Sequence, residues 1–63
     1  MGYVISKKFN DLWIGQGKFY YRPVRKIERM WQKHPYIYGT KSAAMKALKR
    51  INEPDATLEV YNG

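Results

Sequence analysis

The chain has no cysteine, and in a chain of 63 residues that is the tightest constraint on what it can fold into. A domain this short buries a modest share of its surface and is marginal unless something reinforces it. Without cysteine, neither a disulfide nor a thiolate metal site can do so. Apolar area must, and two Trp, six Tyr and two Phe residues supply it, since aromatic rings bury more surface than most side chains. The expectation is a single folded domain over residues 1–63. The missing cysteines fit a reducing compartment.

The local patterns read as a small α+β fold. GYVISKKF is β-branched and aromatic and predicts a strand over 3–9. Asn10-Asp11 supplies turn chemistry, LWI reads as a short second strand, and Gly15-Gln16-Gly17 as a second turn. KFYYR is then a third strand, which makes a three-strand antiparallel meander. Between Pro23 and Pro35, apolar residues at 24, 27, 30 and 31 have helical spacing, giving a short helix over 24–33. The competing reading is an extended crossover that pins Trp31 into the core. Thr40 is a suitable N-cap for a helix over 41–52 rich in Ala, Leu, Met and Lys. Ala44, Ala47, Leu48 and Ile51 form one face of it; Ser42, Lys46 and Lys49 form the other, with Arg50 at the margin. ATLEVY alternates as a C-terminal strand, with Leu58 and Val60 on one side and Thr57, Glu59 and Tyr61 on the other.

Catalysis is not indicated. His34 is the single histidine and has no carboxylate near it in sequence to orient it. Asp11, Glu28, Glu53, Asp55 and Glu59 lack metal-ligand spacing. Ser6 and Ser42 carry no nucleophile signature. GQGK precedes a strand and not a helix, so it cannot cradle a phosphate as a phosphate loop does. No catalytic residue, metal site or cofactor is expected. MGYVISKK lacks the apolar stretch of a secretion signal, and no apolar run approaches the length of a membrane span. The serine at position 6 matches a myristoylation pattern only nominally. The expected location is the cytoplasm.

Charge points to binding. Twelve Lys and Arg stand against five Asp and Glu, a net charge of +7, which favours a polyanionic partner. One basic group is Arg25, Lys26, Arg29 and Lys33, the polar side of the helix expected over 24–33. On the strand KFYYR, alternation sets Lys18, Tyr20 and Arg22 on one face, interleaving phosphate-pairing groups with a ring that can stack on bases. Phe19 and Tyr21 then face the core. Lys7, Lys8, Lys18 and Arg22 make a looser basic group on the strands. A secondary basic face is Lys46, Lys49 and Arg50, which is also what a solvated helix face looks like.

GKFYYRP followed by YGTKSAAMKALKRI resembles the N-terminal arm-type DNA-binding domain of tyrosine integrases over residues 17–51. In that family a three-stranded, aromatic-rich sheet precedes a helix opened by a glycine, aromatic, Thr-Lys, alanine pattern, and the sheet enters the major groove. The chain departs from the pattern where Thr40 follows Gly39 directly, although Tyr36 and Tyr38 precede them, and where ATLEVY adds a strand. The resemblance implies a DNA-facing role for Lys18, Tyr20 and Arg22. The order of a YVI strand, a Gly-Lys-aromatic strand, Trp31, Tyr36-Ile37-Tyr38, an alanine-rich helix and a terminal strand also looks like small phage-encoded ββαβ proteins. Some of these inhibit host machinery, which would place the chain in the cytoplasm of a host bacterium.

The expectation is a non-catalytic nucleic-acid-binding protein of phage or mobile-element type, with DNA favoured over RNA and no membrane partner. The alternatives are an inhibitor docking on a host protein such as RNA polymerase or a defence nuclease, anchored by Trp13, Trp31, Tyr36 or Tyr38 where exposed, and a homo-oligomeric structural protein.

Overall fold

A computed structural model describes residues 1–25 and 29–62. The chain is α+β, as its sequence pattern predicts. Its elements run β1 (Gly2–Asp11), β2 (Gly15–Tyr21), β3 (Trp31–Gln32), α1 (Lys41–Ile51) and β4 (Thr57–Tyr61). The strands form one antiparallel sheet in the order β3-β2-β1-β4. The meander and the C-terminal strand are both present, but the meander has different members. LWI is the turn between β1 and β2 and not a strand, so the first two strands are longer than expected and directly joined.

The third member is β3, which pairs Tyr21 with Trp31 and Tyr20 with Gln32. The helix expected over 24–33 therefore does not reach its predicted end, because Trp31 and Gln32 are strand. Its middle, Lys26, Ile27 and Glu28, lies outside the described residues. Met30 and Trp31 pack against the core as the crossover reading requires.

Register assigns each residue a side of the sheet, because directly opposed residues of an antiparallel pair point the same way. On one side stand Tyr3, Ile5, Lys7 and Phe9 of β1, Phe19 and Tyr21 of β2, Trp31 of β3, and Leu58 and Val60 of β4. This side meets α1 along β1 and β4. Ala44 and Ala47 are buried there, and their small side chains let the helix approach the sheet closely. Ile5, Tyr21 and Ala47 centre a cluster that also takes in Met30, Trp31, Tyr38, Leu48, Ile51, Ala56 and Leu58.

Aromatic rings extend that core beyond the helix, as the missing cysteines require. Phe9 meets Phe19 edge-on with centroids 5.0 Å apart, and Trp31 stands 5.6 Å from both Phe9 and Tyr21. Such edge-to-face pairs add to area burial by about 1 kcal/mol each.

The helix ends follow from single residues. The Thr40 hydroxyl accepts from the Ala43 amide at 3.2 Å. Asn52 closes the other end in the left-handed region at φ 50°, its amide donating to the Leu48 carbonyl. Before the helix, Tyr38 exchanges both backbone hydrogen bonds with Tyr3. This fills the place beside β1 that β2 has vacated. Gly2 makes the approach possible, since a Cβ there would strike the Ile37 side chain and come within 3.0 Å of the Tyr38 carbonyl.

Tyr38 packs its ring on the core, and its buried hydroxyl has no hydrogen-bond partner among the described residues. Burial is also the main reason its ionisation is pushed up to about 12. Tyr38→Phe keeps the ring and deletes the orphan group, so a gain of about 1 kcal/mol is expected in chemical denaturation at neutral pH. The wild type has a second signature. Because the folded phenol titrates above its unfolded value of about 10, stability is fully present below pH 10 and declines as pH rises towards 12. Tyr38→Phe should lose this component of the decline; an equal loss in both proteins would mean that Tyr38 is not its source.

Candidate nucleic-acid interface

The second side of the sheet carries Val4, Ser6, Lys8 and Asn10 of β1, Gln16, Lys18 and Tyr20 of β2, Gln32 of β3, and Thr57, Glu59 and Tyr61 of β4. The helix covers the opposite face. Val4 and Ser6 are nonetheless buried, on β1 between β2 and β4. The Ser6 hydroxyl donates to the Glu59 carboxylate and lies 3.3 Å from the Thr57 hydroxyl. Lys18 reaches across β1 to Glu59 at 2.7 Å. Its ammonium, first, and the Ser6 hydroxyl, second, hold the Glu59 carboxyl below the usual range. The same hydrogen bond raises Lys18. Lys8, Lys18, Ser6, Thr57 and Glu59 line a shallow groove of about 380 Å³ together with Lys7 and Asp55.

Strand lengths give this side its shape. β4 pairs with β1 only over Gly2–Ser6, and β3 pairs with β2 only at Tyr20 and Tyr21. Residues 7–11 and 15–19 are paired with each other alone, as a two-stranded ribbon. Its open face presents Lys8 opposite Lys18 and Asn10 opposite Gln16. At its end the Asp11 carboxylate accepts from the amides of Trp13 and Ile14, at 2.7 and 3.0 Å. Those two bonds, the Ile14 amide first, lower its pKa. Glycine follows because the chain re-enters β2 at φ +123°, a value that L side chains rarely adopt.

The residues singled out in sequence are dispersed. Lys18 and Tyr20 share the open face, with the Lys18 ammonium 5.8 Å from the Tyr20 ring centre. Arg22 follows the end of β2 and sits half-buried, its guanidinium 5.7 Å from the Tyr36 ring and its Nε without a partner among the described residues. Arg25 and Arg29 are exposed in the connection between β2 and β3, and Lys26 lies outside the described residues. Lys33 is turned away: its ammonium donates to the Gln16 carbonyl at 2.9 Å and lies 5.3 Å from the Phe19 ring, on the helix side of the ribbon. Lys7 is engaged similarly, with Glu53 at 2.6 Å and the Phe9 ring at 4.9 Å. Lys46, Lys49 and Arg50 are exposed on α1 along with Lys41, and α1 contains no acidic residue.

Sequence reading placed Lys8 in the looser strand group and missed Asn10, Gln16 and Gln32. A longer β1 would have revealed Asn10, since alternation through Val4, Ser6 and Lys8 leads to it. Gln16 and Gln32 were hidden inside an assumed turn and an assumed helix. Among the proposed aromatic anchors, Trp13 is exposed, while Trp31, Tyr36 and Tyr38 are half-buried.

Among the described residues no cluster of His, Asp or Glu could hold a metal ion, and no helix is long and apolar enough to cross a membrane. The chain matches no protein-family model, and neither the curated proteins nor the solved structures contain a significant match to it.

Proposed function

We propose that this protein binds DNA through the uncovered face of its sheet, as a binding module and not as an enzyme. The observation that supports this most directly is the composition of that face, where Lys8 and Lys18 alternate with Asn10, Gln16, Tyr20 and Gln32 on adjoining strands. Lysines pair with phosphates. Asn and Gln side chains can bond adenine in the major groove through both its N6 and N7 positions. A two-stranded ribbon also has suitable dimensions for that groove, which is about 12 Å wide. The ion pair at Lys18 is no obstacle, because an exposed pair contributes little and a phosphate can displace Glu59 from it. The exposed lysines of α1 add to the long-range field that draws the protein to a polyanion.

The test is fluorescence anisotropy of a labelled duplex titrated with the protein across a salt series. Expected is a dissociation constant of about 10 μM or tighter at physiological salt, with affinity falling at a log–log slope near −0.9 for each phosphate neutralised. A protein that leaves the duplex free at physiological salt does not bind DNA in this way.

A further inference from the structure

The ribbon ends in three consecutive apolar residues, of which the first two lie almost wholly outside the fold. Leu12 is 96% exposed, Trp13 95% and Ile14 51%. A tryptophan kept in water is an expensive placement in a chain that needs all its aromatic area for a core. The tip is also held in shape, since Asp11 accepts from the amides of both Trp13 and Ile14. The approach to it is the basic and amide-bearing face of Lys8, Asn10, Gln16 and Lys18.

On the reading that the sheet face binds DNA, we infer that the Leu12-Trp13 tip is a wedge that stacks on an unstacked base, so that the preferred substrate is DNA with an opened step. Geometry permits the reach. The ribbon has five residues on each strand, which extends about 17 Å at roughly 3.4 Å per residue, beyond the groove depth of about 8.5 Å. Chemistry matches as well. Architectural DNA-binding proteins wedge apolar side chains between base steps and unstack them, and an indole presents a flat face on which any base can stack.

An anionic bilayer offers the same charge complementarity and fits less well. A myristoyl chain alone gives only marginal, reversible membrane attachment, and three side chains at a turn bury less apolar surface than that chain does. Nor does a bilayer use the amides of Asn10 and Gln16.

The experiment compares a labelled intact duplex with the same duplex carrying a short gap in one strand. Wild type is expected to bind the gapped duplex about tenfold or more tightly, the size of one base–aromatic stack. Trp13→Ala and Trp13→Leu should both lose that preference and retain intact-duplex affinity and its salt slope, since no charge has changed. Trp13→Phe should keep most of the preference. All three variants should fold, because the side chain contacts little, and circular dichroism verifies this.

Equal wild-type affinity for the two duplexes, or a preference that survives Trp13→Ala, overturns the wedge and leaves DNA binding by the sheet intact. No binding to either duplex defeats both. Partition onto phosphatidylserine vesicles that blue-shifts the wild-type tryptophan emission, persists in Trp13→Leu and comes with no gap preference replaces the base with a bilayer as the occupant.

Discussion

Ile5→Ala is expected to remove a large share of the stability of this protein. Ile5 is fully buried on the central strand, with strands on either side and α1 above. Truncating a core isoleucine costs about 2–5 kcal/mol, from lost transfer energy and from the cavity left behind. A domain of this size has about 3–9 kcal/mol in total at ordinary per-residue stability. At about 4–8 °C per kcal/mol, the midpoint of thermal unfolding should fall by at least about 8 °C. Val60→Ala is the matched control: the same strand system and the same side of the sheet, but more than half exposed, so a change within about 0.5 kcal/mol is expected. Comparable losses at the two positions would mean that the core does not centre on β1.

The contrast between these two residues also shows what sequence could and could not say about the fold. ATLEVY alternates, and alternation correctly set Leu58 and Val60 on one side of β4. It could not say that Val60 would stay more than half exposed, because how much of a sheet its neighbours cover is a tertiary fact. The helix itself was legible in full, from the Thr40 cap to the Asn52 end, because its signals are local. The turn at 12–14 was not. Leu, Trp and Ile have strand propensity, and in most chains three such residues in a row are buried in a sheet. Here the preceding Asp11 outweighs them by bonding two amides of the turn, a local competition that propensity ignores.

The end of the stretch 24–33 departs from the helical reading, and follows the crossover reading, for a related reason. Its apolar spacing is helical, but Trp31 finds better burial by lying in the sheet against Phe9 and Tyr21 than on an isolated short helix.

The candidate site was legible only where strand alternation had been assigned correctly. Lys18 and Tyr20 came from a segment that is strand, and they share the open face. Lys33 came from a segment assigned to a helix, and its side chain lies on the helix side of the ribbon. A shift of one residue or a wrong period moves a side chain to the opposite face, so an error in element type becomes an error in site membership.

Reversing charge on the open face should separate site-directed binding from general attraction. Lys8→Glu with Gln16→Glu puts two carboxylates on the ribbon face, at exposed positions whose side chains make no hydrogen bond or ion pair among the described residues. Lys46→Glu with Lys49→Glu makes a larger change in net charge, on the exposed side of α1. If DNA lies on the sheet, the first pair should lower duplex affinity on the order of 100-fold at low salt and reduce the salt slope by about 1, the signature of a lost phosphate contact. The second pair should lower affinity by a smaller factor, chiefly through association rate, and leave the slope unchanged. The ranking is therefore opposite to that of net charge. Should the helix pair prove the more damaging, phosphates are gripped by α1 and the uncovered sheet face is not the interface.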